Sequence, residues 1–147
     1  MADSKRQQLV TAIKSRLGLI LVANNYETNA GLHVFEWRDH AVAETERPCL
    51  IVRDTLAEAE LTHGLDWHEL QIEIDALVDG SAAPTTVRKL VADTLKAWAV
   101  DKTFGGLAEN SWFRGDDLEV EHESKRLMGA QLRFQVDFKT NHMDPYN

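Results

Sequence analysis

The fold of this chain is directed by ten residues near its C-terminal end, Ala130-Gln131-Leu132-Arg133-Phe134-Gln135-Val136-Asp137-Phe138-Lys139. Even-numbered residues in this run are apolar and odd-numbered residues are polar. Strict alternation predicts a β-strand with one buried face and one polar face. Upstream, Leu118 and Val120 alternate with glutamates, so the sequence predicts a hairpin over residues 117–141 with its turn at 125–129. A hairpin with one apolar face is unstable alone in water, and we expect earlier segments to cover it.

Two segments have the 3.6-residue periodicity of amphipathic helices. The first follows the candidate caps Asp3 and Ser4, and its apolar stripe is Leu9, Val10, Ile13, Leu17 and Ile20. The second begins at Pro84, a residue suited to the first turn, with Ser81 as a candidate cap. Its apolar stripe is Val87, Leu90, Val91, Leu95 and Trp98. The side chains expected to face solvent on it are Arg88, Lys89, Asp93 and Lys96.

Further strands are predicted at residues 33–38, 49–53 and 67–78. Residues 54–63 are expected to form a helical turn or a loop, and residues 103–116 a loop around Gly105 and Gly106. The resulting order is α, β, β, β, α, β, β. It predicts a single α+β domain spanning residues 1–147, with a mainly antiparallel β-sheet and two α-helices packed on one face.

Composition and charge narrow the classes of partner. The formal net charge of −8 disfavours wrapping by nucleic acid, because acidic surfaces repel phosphate. The sole cysteine, Cys49, precedes an apolar run and is expected to be a core thiol, which points to a reducing, cytoplasmic compartment. The apolar stretch at residues 17–23 is far too short to span a bilayer, so no membrane partner is expected.

No catalytic constellation is recognisable. His63 and His68 lack metal-ligand spacing, the serines lack a nucleophile-elbow setting, and the glycines lack phosphate-loop or dinucleotide spacing. We therefore expect a protein that is not an enzyme and that has no cofactor and no metal.

The candidate functional residues are acidic side chains on strands and two tryptophans. The acidic residues are Glu69, Glu73, Asp75, Glu119, Glu121 and Glu123. They form either a solvated sheet face or the lining of a lumen or subunit contact. Trp37 and Trp112 are predicted in or near loops, where a large aromatic residue often marks an interface.

Several stretches, covering nearly the whole chain, carry a family resemblance. They are residues 5–13 (KRQQLVTAI), 33–38 (HVFEWR), 47–54 (RPCLIVRD), 68–74 (HELQIEI), 84–90 (PTTVRKL) with Trp98, 104–108 (FGGLA) and 129–140 (GAQLRFQVDFKT). In this combination the chain resembles the tail terminator proteins of long-tailed bacteriophages, also called tail completion or minor tail proteins.

The resemblance implies an α+β fold and a structural role. Proteins of this kind form a ring, a hexamer, that caps the tail tube, ends its polymerisation and provides the surface for head–tail joining. It implies no catalysis and no cofactor. The implied partners are further copies of the chain, the tail tube protein and the head connector, with DNA only as cargo passing through the bore. The implied location is the head-proximal end of the virion tail, after assembly in the host cytoplasm.

Three other functions are compatible with the sequence. The nearest is another phage neck component, such as a head-completion adaptor. Proteins of that kind are also small α+β proteins that assemble into rings. The second is a small metal-dependent hydrolase built on the histidines. The third is a small-molecule binding module that uses the gap between helices and sheet.

Overall fold

A computed structural model describes residues 2–79, 84–123 and 125–147, with the backbone alone described at 119–123 and 125–128. Two α-helices and five β-strands follow one another in the predicted order. Their bounds are α1 Lys5–Leu17, β1 Val34–Glu36, β2 Cys49–Thr62, β3 Leu65–Val78, α2 Pro84–Ala99, β4 Asn110–Glu123 and β5 Lys125–Asn141. Short 3₁₀ turns occupy Val22–Asn24, Ala30–Leu32 and Glu44–Glu46.

The strands form one sheet in the order β1-β2-β3-β5-β4. β1 pairs with β2 in parallel, and every other pair is antiparallel. Both helices pack on one face of this sheet through a shared apolar core. The predicted α+β class, with a mainly antiparallel sheet and two helices, is confirmed.

The helices form where the sequence provides caps and apolar stripes. Ser4 caps α1 by accepting a hydrogen bond from the Gln7 backbone N–H at 3.2 Å, and Gly18 follows its last turn. All five residues of the predicted α1 stripe are buried. Leu9, Ile13, Leu17 and Ile20 belong to one core cluster with buried residues of β2, β3 and β5, among them Leu50, Val52, Leu70, Ile72, Ile74, Leu132, Phe134 and Val136.

One residue of α2 departs from the predicted pattern. Asp93 was expected to face solvent, but it is buried and only 2% exposed. The loop that follows α1 lies over it and supplies hydrogen-bond donors from Glu27 and Thr28. A buried carboxylate needs such donors, which local periodicity does not reveal. The candidate cap Ser81 lies outside the described residues.

The prediction of a turn or loop at residues 54–63 is wrong, because β2 continues to Thr62 and pairs with β3 along its length. A bulge between Asp54 and Leu56 shifts the register, which breaks the alternation that marks a strand. The connection to β3 is His63-Gly64, with φ of 53° and 77°. Both values lie in the left-handed region used by two-residue hairpin turns.

The C-terminal hairpin is longer than predicted. β4 begins at Asn110, so the expectation of a loop over 103–116 holds only up to residue 109. A second bulge, between Phe113 and Gly115, interrupts the alternation there. The expected turn at 125–129 is wrong because these residues belong to β5. Gly129 marks close packing in the strand, since an added Cβ would lie 2.8 Å from Leu77 Cδ2.

Candidate functional site

The face of the sheet opposite the helices, here called the open face, carries most of the candidate residues. Alternation along β3 and β5 directs Glu69, Glu73 and Asp75 to this face, because their neighbours Leu70, Ile72 and Ile74 are buried under the helices. β2 and β4 extend the open face on either side. It is a broad polar surface and contains a shallow depression of about 510 Å³ near the β2–β3 turn.

Three carboxylates lie side by side on the open face. Glu58 of β2 pairs with Glu69 of β3, and Glu69 pairs with Asp137 of β5. Neighbouring strands are about 4.8 Å apart, so this carboxylate row is about 10 Å long. Asp137 accepts a hydrogen bond from Gln135 Nε2 at 2.9 Å. Within the described part of the chain, Glu58 and Glu69 have no hydrogen bond or ion pair to a basic side chain.

The carboxylate row therefore costs the folded chain stability. Like charges directly opposite each other on adjacent strands are destabilising. Glu58 and Glu69 are exposed, so water weakens the repulsion between them, whereas Asp137 is half-buried and less well solvated. A row of this kind is unfavourable for the isolated domain.

The other predicted acids of β3 are compensated. Arg53 Nη2 lies 2.8 Å from Asp75 Oδ1 and 3.5 Å from Glu73 Oε2. The amide of Gln131 also donates to both carboxylates, at 3.3 and 3.5 Å. Glu73 and Asp75 therefore stabilise the sheet locally, and Glu69 differs from them because it lacks such a cation.

Exposed apolar side chains border the carboxylate row. On one side, the next set of paired residues across the strands is Leu56, Gln71, Gln135 and Trp112. Its two end residues, Leu56 and Trp112, are 46% and 40% exposed. On the other side, Trp67 is 39% exposed, and the Lys139 ammonium lies 5.5 Å from its ring centroid. Trp112 is the third residue of β4, so it lies next to the loop that ends at residue 109 and not within it. Exposed large aromatic residues are enriched at protein contact surfaces.

Trp37 is not part of the open face. Its indole Nε1 donates to Asp54 Oδ1 at 2.6 Å, and Arg6 of α1 binds the same carboxylate at 2.6 Å. Burial raises the pKa of Asp54, but the hydrogen bonds from Trp37 and Arg6 outweigh it and hold that pKa below its ordinary value. Trp37 therefore joins the segment after β1 to β2 and α1.

The remaining predicted acids lie on β4. Glu119, Glu121 and Glu123 pair through the backbone with Gly129, Leu127 and Lys125. Their side chains lie outside the described part of the structure. The predicted contact role of these three residues stays a prediction.

The side chains of His68 and Cys49 are built into the fold. His68 stacks on Phe138 with ring centroids 4.5 Å apart and lies 2.9 Å from Thr140 Oγ1, and burial lowers its pKa. Cys49 is buried, and burial raises its pKa to about 11, so the thiol is unreactive at neutral pH. Among the residues described, no three histidine, cysteine, aspartate or glutamate side chains are grouped to hold a metal ion.

Two members of the carboxylate row were missed as site residues. Glu58 was not assigned to a strand, although Ala57, Ala59 and Leu61 alternate with Glu58 and Glu60 before a His-Gly turn. That pattern is the signal that could have found it. Asp137 was correctly placed on the polar side of the last strand, but its neighbours depend on strand pairing.

A scan against protein-family models finds no matching family, and a search of curated proteins finds no match. Over the described ranges, no helix has the length and apolar character needed to cross a membrane. The functional argument therefore starts from the geometry of the open face.

Proposed function

We propose that this protein is a structural tail terminator of a long-tailed bacteriophage, which caps the tail tube as a ring. The ring ends tube polymerisation and provides the surface for head–tail joining at the head-proximal end of the tail. The observation that carries the proposal is the open face, with its uncompensated carboxylate row and bordering aromatic residues. A surface that costs the isolated subunit stability is expected to have a role in contact.

The sheet also has edges suited to assembly. β4 pairs only with β5, and β2 beyond Val52 pairs only with β3 among the described strands. Unpaired strand edges present backbone N–H and C=O groups to a neighbouring chain. A contact between two different surfaces, repeated by rotation, closes a ring.

The charge of the chain supports a ring through which DNA passes. With a net charge of −8, the subunits repel the phosphate backbone and bind it weakly. A bore lined by acidic groups lets the duplex move without adhering. The family resemblance of the sequence, which spans nearly the whole chain, is the second line of support.

The experiment is a capping assay with purified tail tubes. Tube protein is polymerised with and without this protein, and tube lengths and tube ends are measured by negative-stain electron microscopy. We expect shorter tubes and a ring-shaped cap at one end. Tubes that grow to the same length without a cap would contradict the proposal.

Crosslinking separates the tail terminator from a head-completion adaptor. A terminator is expected to crosslink to the tube subunit in the mixture, and an adaptor to the portal or connector ring. Crosslinks to the portal without any to the tube would replace the proposed function with the adaptor function.

A further inference from the structure

Charge is unevenly divided between the two layers of this protein. The two helices contain seven of the 16 basic residues and one of the 24 acidic residues, and that one, Asp93, is buried. The sheet and loops therefore carry the negative charge of the chain. The helix layer and the open face lie on opposite sides of the molecule and have opposite charge.

Two basic residues of α2, Arg88 and Lys89, are more available than Lys5, Arg6 and Lys14 of α1. The third, Lys96, is exposed but donates to the Asn25 carbonyl and lies 4.6 Å from the Tyr26 ring centroid. In α1, Lys5, Arg6 and Lys14 bind the Lys139 carbonyl, Asp54 and Glu36. In α2, Arg88 is exposed and has no hydrogen bond or ion pair to any residue that the structure describes. Lys89 has one loose ion pair, 3.7 Å from Glu27, in which both side chains are more than half exposed.

The spacing of α2 matches that of the carboxylate row. Arg88, Ala92 and Lys96 follow one another at four-residue intervals along the outer side of α2. Arg88 and Lys96 are therefore about 12 Å apart along the helix axis, at a rise of about 1.5 Å per residue. The carboxylate row is about 10 Å long. A helix laid across the strands places basic residues over both ends of the row, with the small Ala92 side chain at its centre.

We propose that the carboxylate row of one subunit binds the outer face of α2 of a second copy of this chain. The contact pairs Glu58, Glu69 and Asp137 with Arg88, Lys89 and Lys96. Leu56, Trp67 and Trp112 border the row and exclude water from its rim. Cationic groups from the second copy relieve the repulsion within the row. The described part of a single subunit provides no cation that does so.

The two contact surfaces lie on opposite sides of each subunit, so the contact is head-to-tail. Each subunit has one surface of each kind, so a pair of subunits keeps one free surface of each kind and the contact can repeat. It closes a ring when the rotation between successive subunits returns to the first subunit. This interface deepens the proposed ring and rests on it for its biological role.

Charge-swap variants test the interface in the full-length chain. The sheet variant carries Glu58→Lys and Glu69→Lys, and the helix variant carries Arg88→Glu and Lys89→Glu. In either variant alone, every contact of this type joins surfaces of the same sign. An equimolar mixture restores opposite signs, because the reversed sheet meets the reversed helix and the original surfaces meet each other.

Sedimentation velocity across a concentration series measures the association. We expect each variant alone to associate more weakly than the unchanged chain by more than about tenfold. The mixture is expected to recover association. A control with Asp39→Lys and Glu44→Lys, two exposed acids of the loop between β1 and β2, changes net charge as the sheet variant does and should associate at least as strongly as the unchanged chain.

Two results overturn this interface. One is association of both variants at the strength of the unchanged chain, and the other is an unchanged chain that stays monomeric over the whole series. Capped tubes combined with either result leave the tail-terminator proposal standing. A successful charge swap without capping of tubes supports the interface and refutes the tail-terminator proposal.

Discussion

The carboxylate of Asp93 accepts hydrogen bonds from both the backbone N–H and the hydroxyl of Thr28, at 2.8 and 2.7 Å. Its other oxygen accepts the Glu27 N–H at 3.0 Å. These three bonds join α2 to the loop that follows α1. Because Asp93 and Thr28 are both buried, the two Thr28 donors have little access to water in place of the carboxylate.

Replacement of this carboxylate is expected to destabilise the fold. Asp93→Ala leaves buried donors without an acceptor, and we expect the free energy of unfolding to fall by about 2–3 kcal/mol. Urea unfolding followed by circular dichroism measures the change. Asp93→Asn keeps one acceptor oxygen and should lose less. Equal losses for the two variants would mean that the hydrogen bonds of Asp93 contribute little.

Val136 lies at the centre of β5 and is completely buried between the sheet and the helices. Val136→Asp places an unpaired charge in that core and should lower the free energy of unfolding by about 4 kcal/mol or more. That is much of the stability of a typical domain. We expect loss of cooperative thermal unfolding. A variant that melts like the unchanged protein would show that the register of β5 is off by one residue.

Glu69→Lys is expected to stabilise the isolated subunit. The substitution places a cation between Glu58 and Asp137, which replaces two repulsive cross-strand pairs with attractive ones. We expect a gain of about 0.2–1 kcal/mol. Urea unfolding at a concentration where the protein is monomeric measures it, with Glu44→Lys in an exposed loop as the control. A loss of stability would show that the carboxylate row is not strained in the single subunit.

His68 makes stability depend on pH near neutrality. Burial against Phe138 lowers its pKa below the ordinary value of 6.5. The unfolded chain therefore takes up the proton first as pH falls, and stability decreases from about pH 7 down through the lowered pKa. At pH values above the range in which carboxylates titrate, His68→Gln should remove much of this loss of stability with falling pH.

Urea midpoints at pH 7.5 and pH 5.5 check the histidine prediction. The difference between the two midpoints should be smaller in His68→Gln than in the unchanged protein. His63→Gln, in the exposed turn between β2 and β3, is the matched control and should retain the full difference. Equal pH dependence in all three proteins would contradict a role for His68.

Local sequence patterns were enough to predict the helices and strands that bury one face in the core. The alternation at 130–139 and 67–78, and the apolar stripe of α1, were confirmed because burial of one face is imposed by the period of each element. The same patterns predicted the order of elements and the α+β class. They missed the two bulges, because one extra residue shifts the phase of the alternation. For the same reason they missed the distal half of β2 and the start of β4.

The arrangement of the candidate site depended on contacts between segments distant in the chain. Alternation directs Glu69 to the polar face, but only the pairing register places it between Glu58 and Asp137. It is also the register that gives Glu73 and Asp75 a shared cation in Arg53 and leaves Glu69 without one. Burial of Asp93 likewise follows from a loop that approaches α2 from far along the chain. Periodicity records which side of an element is buried, whereas the neighbours across strands and layers follow from the packing of the whole chain.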